Sequence, residues 1–568
     1  MTTVTGNDSA LDTERIAESA TVNGILRCWV RENGVQVPES VDLHLPLKVA
    51  STAVCAEVRY CSPTGHHRFG DVRFPSGAAV NAVTLAALLT AEASAGNTSD
   101  PAAALDLVER VADSQRRTAT HLRERQAELD ASPDTSPFLA AEQALVLGHP
   151  LHPTPKSRVG WTDSEAAAYS PELCGSFQLH WFAADRSVVS GEGAAVDRLD
   201  GFAPETPEGM VAVPVHPWQA SEVRKRQSVE ALFDAGLLRD LGSSGPPWYA
   251  TASIRTLYRP DAPVMLKCSL ALPITNSKRE NLRKELLRGA EIDRLLDAGL
   301  AAAIADAHPN FAIVRDPAWL TVDLLPGSAE GESGLEVVLR DNPFTPQQQV
   351  VCVAGLLAER PDVGRSALGT LIARLADRVG TTTAEVAERW CAHYFDELIA
   401  PVLWLYREHG VGLEAHQQNT LVSLDVDGWP CGGWYRDNQG YYLSETRVGE
   451  LEEYLPGVGR AGDNRVDDAV IDERLSYYIG INNLLGLVGA FGSQGLADER
   501  RLLAVLADRL RPFADLTLVR NLLNEKTLRC KANLLTRLDG LDELVGPLET
   551  QSVYVDLANP FVEGECTA

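Results

Sequence analysis

The ten cysteines of this 568-residue chain include no Cys-x-x-Cys pair. Their scattered spacing argues against a zinc site and against a disulfide framework. No apolar run reaches the ~20 residues that a membrane-spanning helix needs, so no membrane partner is expected. The opening stretch MTTVTGNDSALDTER has neither the basic nor the apolar region of a secretory signal. These absences predict a cytoplasmic protein with reduced thiols.

Positive charge is also scarce, because 51 Lys and Arg stand against 78 Asp and Glu and give a formal net charge of −27. A field of that sign repels nucleic acid and anionic membranes, so neither is an expected partner. Any local cluster of Lys and Arg is therefore informative and suits a small anion. The open alternative for a single Arg pair is a surface salt bridge.

The usual phosphate-binding loops are missing as well. The chain has no GxxxxGK[ST] motif and no GxGxxG after a predicted strand. GVGRAG (457–462) and GLVGAFG (486–492) space their glycines differently. An ATP site here would not use a P-loop or a Rossmann turn.

The periodicity of the chain predicts an α+β protein of two or three domains. It lacks the strict βαβ alternation of a doubly wound sheet. Candidate domain boundaries fall near 155–165 and 380–390. Helical patterns occupy 78–128, 278–305, 345–408 and 468–538. Strand patterns lie within 41–60, 175–270, 335–340, 420–426 and 432–437.

Three stretches carry candidate chemistry, and the first is GHPLHPTPKSRVGW (148–161). It offers His149, His152, Lys156 and Arg158 on a chain stiffened by three prolines. This pattern predicts an ordered loop that binds phosphate or carboxylate. An ordinary surface loop is the open alternative.

The second stretch, 253–283, contains Ser253, Arg255 and Lys267, which we place on two adjacent predicted strands. Because Ser253 and Arg255 are two residues apart, they are expected to share one face of their strand. Cations gathered on one sheet face favour an anion site.

A helix is predicted to begin near Lys278, since Ser277 and Glu280 form a capping-box pattern. Its first turn would present free N–H groups and a positive dipole end to an anion. Lys278 and Arg279 would strengthen that site. The alternative is a solvated face on which Arg279 pairs with Glu280.

The third stretch, 409–442, is predicted to be a β-hairpin with polar residues at both ends. Asn419 precedes the first strand and Asp437 ends the second, so the two side chains should approach one point. Their oxygens are hard ligands, suited to Mg²⁺ that carries nucleotide phosphates, and Glu414 would join them. Taken singly, each would be a cap or turn residue.

Together these stretches resemble the siderophore synthetases that work independently of nonribosomal peptide synthetases, the IucA/IucC-like family. The resemblance covers most of the chain. It rests on ILRCWVRE (25–32), YCSPTGHHRFG (60–70), GHPLHPTPKSRVG, KCSLALPITNSKR, HGVGLEAHQQNTLV, YRDNQG and EKTLRCKANLLTRL (525–538), the last resembling the closing helix of the family. It implies a homodimer of cupped-hand subunits with a thumb (1–160), fingers (161–385) and a palm (386–568).

The resemblance also implies an ATP-dependent ligase. A substrate carboxylate would attack the α-phosphate of ATP, giving an acyl-adenylate and pyrophosphate. An amine or alcohol would then attack the acyl carbon and release AMP. Citrate is the expected acid, although citrate monoamides, succinyl hydroxamates and 2-oxoacids also serve in the family.

Roles for individual residues are implied by the same resemblance. His416, Arg279 and Lys267 would be catalytic. The triphosphate would be bound by Ser253, Arg255 and Lys267, with His149, His152 and Lys156 closing over it and Gln418 and Asn419 contacting nucleotide or metal. The carboxylic substrate would be held by Thr275, Arg279 and His416. Mg²⁺ would be held by Asp437, Glu414 and Asn419.

Two other functions are weighed against this one. A kinase-like phosphotransferase would also place His416 before a metal-binding Asn419 and Asp437. Against it, Ala415 and Gln417 flank the histidine, so no HRD-type Asp is present, and no glycine-rich loop occurs near the N-terminus. A carboxylate-binding protein without catalysis is disfavoured by the intact set of cationic and metal-binding residues.

Overall fold

The computed structural model describes residues 12–95, 101–126, 135–275, 277–361, 364–437, 439–541 and 552–562. Long helices and mainly antiparallel sheets alternate irregularly, which confirms the α+β class. The α-helices are α1 Thr13–Glu32, α2 Ala82–Ser94, α3 Pro101–Gln126, α4 Pro137–Glu142, α5 Asp163–Tyr169, α6 Ala195–Arg198, α7 Pro217–Val223, α8 Gln227–Asp234, α9 Arg283–Leu295, α10 Ala301–Ala307, α11 Val353–Leu357, α12 Ala367–Val379, α13 Thr383–Tyr394, α14 Ala400–His409, α15 Val448–Tyr454, α16 Asp468–Leu475, α17 Gly486–Ser493, α18 Glu499–Leu510, α19 Thr517–Asn524 and α20 Asn533–Leu538.

The strands fall into separate sheets. They are β1 Leu43–Leu47, β2 Thr52–Tyr60, β3 Arg68–Arg73, β4 Ser176–Asp185, β5 Val189–Glu192, β6 Met210–Val215, β7 Leu238–Ala250, β8 Thr256–Tyr258, β9 Val264–Cys268, β10 Leu270–Ile274, β11 Ser277–Arg279, β12 Phe311–Ile313, β13 Ala318–Val322, β14 Val337–Asp341, β15 Val350–Cys352, β16 Val411–Leu413, β17 Thr420–Leu424, β18 Pro430–Tyr435, β19 Tyr441–Ser444, β20 Arg465–Val466, β21 Thr527–Lys531 and β22 Tyr554–Ala558.

The N-terminal part packs α1, α2 and α3 against the antiparallel sheet β1-β2-β3. Strand β1 alternates buried and exposed side chains, as expected for a sheet with one face on a core. The apolar faces of α1 and α2 cover it, and Leu534 and Leu538 of α20 complete the same core. The chain end therefore packs on the chain start.

The middle part is an eight-stranded sheet of order β5-β13-β14-β9-β8-β7-β4-β6. Its central strand β9 is buried throughout and pairs with β8 and β14. Lys267 lies in β9, where it faces Thr256 on one side and Val338 on the other. A lysine in so buried a position needs polar partners.

The C-terminal part has the largest apolar core, built from α10 to α19 and the sheet β12-β18-β17-β15. The predicted hairpin is confirmed, because β17 and β18 pair antiparallel with Thr420 opposite Tyr435. Helix α14 ends at a left-handed Gly410, as the sequence predicts. The division into thumb, fingers and palm at 160 and 385 stays a prediction.

The helix predicted from Lys278 is wrong at its start. Residues Ser277–Arg279 form β11, which pairs antiparallel with β10, and the helix begins at Arg283. The capping carboxylate is Glu285, which accepts from the Leu282 amide at 3.1 Å. Strand pairing already satisfies backbone groups near 278, so the local capping pattern there is overridden.

Two further local predictions are wrong. Ser253 and Arg255 do not share a strand face, because β7 ends at Ala250 and both residues lie in the turn before β8. That turn is closed by the Ile254 amide, which donates to the Thr251 carbonyl at 2.8 Å. The segment 525–538 is a strand followed by a short helix, β21 and α20, rather than one helix.

A buried ion pair ties α4 to the hairpin, since Glu142 and Arg436 lie 2.7 Å apart with almost no exposure. We expect Glu142→Ala to lower the free energy of unfolding by about 3–5 kcal/mol, because it leaves the Arg436 charge buried and unpaired. Urea unfolding measures this. Asp508→Ala, which breaks the exposed pair with Arg511, is the control and should cost less than about 1 kcal/mol. Equal losses would contradict the prediction.

Candidate active site

One cavity of about 1340 Å³ collects residues from all three parts of the chain. Cationic side chains outnumber acidic ones along its wall, although the chain as a whole is strongly acidic. Every site residue predicted from the sequence lines it: His149, His152, Lys156, Ser253, Arg255, Lys267, Thr275, Arg279, Glu414, His416, Gln418, Asn419 and Asp437. The structure thus brings three distant stretches to one place.

The centre of the site is a buried ion pair between β9 and the end of β18. Lys267, 3% exposed, donates from Nζ to the carboxylate of Asp437 and to the amide oxygen of Gln439. Burial lowers the pKa of Lys267 to about 8, against the pull of Asp437. Burial alone would raise the pKa of Asp437, but Lys267 and Arg340 hold it well below its usual range.

Arg255 lies beside this pair and is fixed by neutral acceptors. Its Nη1 donates to the Arg279 carbonyl and to Oδ1 of Asn281, both at 2.8 Å. Asn281 is fully buried and donates from Nδ2 to the Lys267 carbonyl at 3.0 Å. Burial lowers the pKa of Arg255 to about 10, so it remains cationic at neutral pH. Arg255 and Lys267 are therefore preorganised cations.

Arg340 and its partner Asp316 were missed by the sequence analysis. Arg340 makes two parallel bonds to Asp316, at 2.6 and 2.9 Å, and reaches Asp437 at 3.5 Å. Arg340 shares the sheet face of Lys267, because Val338 pairs with Lys267 and Arg340 lies two positions later on the same strand. Only this long-range pairing, and not the sequence spacing, reveals it. Arg340 thus adds a third cation to the Lys267 side of the site.

The turn before β17 carries His416 and is held by a π-helical segment, Ser476–Leu485. Asn482 Oδ1 accepts from the Gln417 amide at 3.1 Å, and Asn483 Nδ2 donates to the Ala415 carbonyl at 2.9 Å. Burial lowers the pKa of His416 to about 4, although Asp437 opposes this. The imidazole is therefore neutral at physiological pH.

The two ends of the hairpin meet, since the Arg436 amide donates to the Asn419 carbonyl at 3.0 Å. Among the described residues, no group of three or more His, Cys, Asp or Glu side chains could hold a metal ion. Mg²⁺ commonly takes one or two carboxylates and completes its shell with phosphate oxygens. The ionised Asp437 fits that pattern. Glu414 already accepts from the Tyr442 hydroxyl.

The proline-rich segment 148–161 is an ordered loop, as predicted. Lys156 is buried and its charge is balanced by Glu172. His152 Nδ1 accepts from the Thr154 amide at 3.0 Å, and His149 Nδ1 accepts from the Leu151 amide at 3.1 Å. His149 Nε2 also contacts the side-chain amide nitrogen of Asn482, at 3.5 Å. The contact of the two histidines with phosphate stays a prediction.

Arg279 lies at the end of β11, next to Thr275. Its Nη2 donates to Thr275 Oγ1 at 2.9 Å and to the Ile274 carbonyl at 3.3 Å. Thr275 has φ of +56°, which is unusual for a β-branched residue. A planar guanidinium can contact a carboxylate through two N–H groups, and this role of Arg279 stays a prediction.

Asn483 is fully buried and also accepts from the Tyr394 hydroxyl. We expect Asn483→Ala to speed amide hydrogen exchange across 415–420 about tenfold or more, because it leaves buried polar groups unpaired. Exchange mass spectrometry measures this. Asn524→Ala, which removes one exposed contact to Arg520, is the matched control. Unchanged exchange in the turn would show that the π-helix does not hold it.

Two family models match the chain. One, described as "IucA / IucC family", matches residues 137–358, and one described as "Ferric iron reductase FhuF-like transporter" matches 388–546. The second description includes the word "transporter", whereas the sequence predicts no membrane partner. Within the described ranges, no helix has the length and apolar character needed to cross a bilayer.

Similar proteins cover almost the whole chain. A rhizobactin siderophore biosynthesis protein of Rhizobium meliloti is 37% identical, covering 97% of this chain and 98% of the relative. A spermidine-citrate ligase of Bacillus anthracis is 36% identical, with coverage of 97% and 98%. The ATP-bound aerobactin synthetase IucA of Klebsiella pneumoniae superposes with a TM-score of 0.85 at 28% identity, covering 96% and 99%. The chain therefore belongs to the IucA/IucC family of ligases in siderophore biosynthesis.

Proposed function

We propose that this chain activates citrate with ATP and joins it to an amine, releasing pyrophosphate and AMP. The convergence of three sequence stretches on one cation-lined cavity carries the proposal. An acyl-adenylate route needs a place for a triphosphate beside a place for a carboxylate. Lys267 and Arg255 offer the first, and Arg279 with Thr275 offers the second.

In the first half-reaction, a citrate carboxylate oxygen bonds to the α-phosphorus while the bond to the pyrophosphate oxygen breaks. Negative charge accumulates around the phosphorus and on the leaving group. The fixed cations Lys267, Arg255 and Arg340 stabilise this charge without reorganising. Arg279 orients the attacking carboxylate, so the two anions meet despite their repulsion.

In the second half-reaction, the amine attacks the acyl carbon, the acyl–oxygen bond to AMP breaks, and one proton leaves the nitrogen. His416 is neutral at working pH and lies on the turn between the metal and carboxylate residues. A neutral imidazole can donate a hydrogen bond to the adenylate and does not repel an approaching ammonium group. We therefore assign it to positioning the acyl-adenylate, both as this forms in the first half-reaction and as the amine consumes it in the second.

Citrate and an amine are chosen because matched relatives are named for them. The Bacillus anthracis protein is a spermidine-citrate ligase, and a Staphylococcus aureus relative, 28% identical over 593 residues, is an L-2,3-diaminopropanoate–citrate ligase. The abundance of cations in the cavity suits a tricarboxylate. An amide product is accordingly favoured over an ester.

Mg²⁺ would be held by Asp437 and Asn419, with Glu414 at the adjoining position, and would neutralise phosphate charge when bound. Asp437 would then exchange part of its contact with Lys267 for the metal. The homodimer and the cytoplasmic location implied by the resemblance stay predictions.

The kinase-like alternative is not favoured. The matched relatives are named as ligases and synthetases rather than phosphotransferases. Around His416, the turn is occupied by Ala415 and Gln417, neither of which can serve as a catalytic base. No observation favours a second function.

Product analysis tests the proposal. The protein is incubated with ATP, Mg²⁺ and citrate, with hydroxylamine as a generic nucleophile. AMP, pyrophosphate and a citryl hydroxamate are the expected products. ADP and inorganic phosphate would overturn the adenylation route. Succinate derivatives and 2-oxoglutarate, tested in parallel, would replace citrate if they alone turn over.

Substitution of the carboxylate-binding residues should stop activation. We expect Arg279→Ala and His416→Ala each to reduce citrate-dependent ATP–pyrophosphate exchange by about 100-fold or more, because each removes a group positioned on the reacting atoms. Circular dichroism checks the fold. Arg283→Ala, which affects an ion pair with Asp323, should retain exchange. Near-normal turnover in either site variant removes that residue from the mechanism.

The depressed pKa of Lys267 predicts a pH dependence for ATP binding. The ammonium is charged below about 8 and neutral above it. Without citrate, affinity should therefore fall by about tenfold per pH unit above that value, since binding must take up a proton. Arginine stays charged, so Lys267→Arg should lose this pH dependence even if its affinity is lower throughout. Calorimetry from pH ~7 to ~10 measures both. Parallel profiles would contradict the assignment.

A further inference from the structure

An arginine on the first helix has hydrogen-bond donors without a protein partner among the described residues, and it lines the cavity. Arg27 of α1 is only 6% exposed and lines the cavity wall. Its Nε donates to the His67 carbonyl at 2.6 Å. Its two terminal nitrogens have no hydrogen-bond or ion-pair partner among the described residues. Neither of these nitrogens is among the fully buried atoms that lack a partner, so both reach the open space of the cavity, where an anion can bind them.

The surroundings of Arg27 do not supply that anion. The charge of Glu359 acts on Arg27, but Glu359 is already paired with Arg68 at 3.2 Å. His66 is 7% exposed, lines the same wall, and its ring makes no hydrogen bond to any residue in the described ranges. Arg31 lies one turn further along α1 and adds positive charge. This part of the wall therefore attracts an anion from outside the protein.

The position of Arg27 connects it with the proline-rich loop. Gly24, one turn earlier on α1, touches that loop so closely that a Cβ would lie 3.0 Å from the His152 carbonyl oxygen. The same helix face therefore carries Gly24 against the loop and Arg27 beside it. His149, which belongs to the loop, also acts electrostatically on His66 of the cavity wall. The unused donors thus lie beside the loop that the resemblance places over the phosphates.

Helix α17 lies between the cavity wall near His66 and the turn that carries His416. It contains the GLVGAFG motif, to which the proposed mechanism assigns no role. A Cβ on Gly489 would lie 2.4 Å from the His66 ring. A Cβ on Gly486, one turn earlier, would lie 2.2 Å from Gln417 Nε2. The glycines let the thumb segment and the turn pack on one helix. Helix α17 therefore contacts both the segment that carries His66 and the turn that carries His416.

We propose that Arg27 binds the β- and γ-phosphates of ATP, the part that leaves as pyrophosphate. This inference rests on the proposed adenylation. When the bond between the α-phosphorus and the bridging oxygen breaks, its electron pair stays on the pyrophosphate. The free edge of the guanidinium, formed by Nη1 and Nη2, can donate to two phosphate oxygens. Arg27 would stabilise the leaving group from α1, while Lys267 and Arg255 act from the middle sheet.

Ligand binding to Arg27→Met tests the inference. Calorimetry with ATP, with Mg²⁺–pyrophosphate and with AMP is run on both proteins. We expect about 10- to 100-fold weaker binding of ATP and pyrophosphate by the variant, because charge-assisted hydrogen bonds are lost. AMP affinity should not change. Arg15→Met is the control, since Arg15 lies on the same helix and lines the cavity but is exposed and faces Asp12 at 3.8 Å.

Other outcomes separate the possible errors. An unchanged pyrophosphate affinity together with a raised KM for citrate or for the amine overturns the inference, because the anion is then a substrate carboxylate. A wild-type protein that binds no ATP and forms no AMP instead refutes the proposed function. If Arg27→Met unfolds, Arg27→Lys keeps the charge and loses the two-pronged contact. Its pyrophosphate affinity should fall about tenfold, and wild-type affinity there would also overturn the inference.

Discussion

The site depends on one buried ion pair, Lys267 with Asp437. Lys267 comes from the centre of the eight-stranded sheet and Asp437 from the end of the hairpin in the C-terminal part. Lys267 is almost fully buried, so its charge needs the partner that the C-terminal part supplies, whereas Asp437 also reaches the cavity. Gln439, Asn281 and Arg340 attach to this pair and extend it. The anion site therefore lies where these two parts of the protein meet.

Three residues at the site have an unusual backbone conformation. Ile254, Thr275 and Asp437 have φ of +67°, +56° and +85°, a region that side chains other than glycine rarely adopt. Such conformations cost about 1–3 kcal/mol each and persist only where packing enforces them. Ile254 is fully buried with Trp161 and Trp218. The core thus holds the Ser253–Arg255 turn open toward the cavity.

Local motifs predicted the fold class and the hairpin, and the family resemblance implied that residues of the three stretches share one site. The local motifs depend on neighbours in sequence: strand alternation, a Gly410 helix stop, and polar residues at hairpin ends. The helix start predicted from the capping pattern at Ser277 is wrong, because Ser277–Arg279 form β11 and pair with β10. Strand pairing here outweighs the local preference for a helix start.

The missed residues have a common cause. Asn281, Arg340 and Asn483 act on groups that are distant along the chain, so no spacing rule identifies them. Arg27 lies within the family-like segment ILRCWVRE (25–32). Its candidate role in binding an anion follows from its unused donors, which only the packed structure reveals. Sequence patterns indicate which residues are polar and where, and packing decides which of them remain available to a ligand.

Transfer of oxygen from the acid to AMP tests the central claim most directly. Citrate labelled with ¹⁸O in its carboxylates is converted with ATP and an amine, and the nucleotide product is analysed by mass spectrometry. An acyl-adenylate places one labelled oxygen in the phosphate of AMP, because the carboxylate oxygen stays on phosphorus when the amide forms. Label in inorganic phosphate alongside ADP would contradict the account and show that the acid is activated by phosphoryl transfer instead.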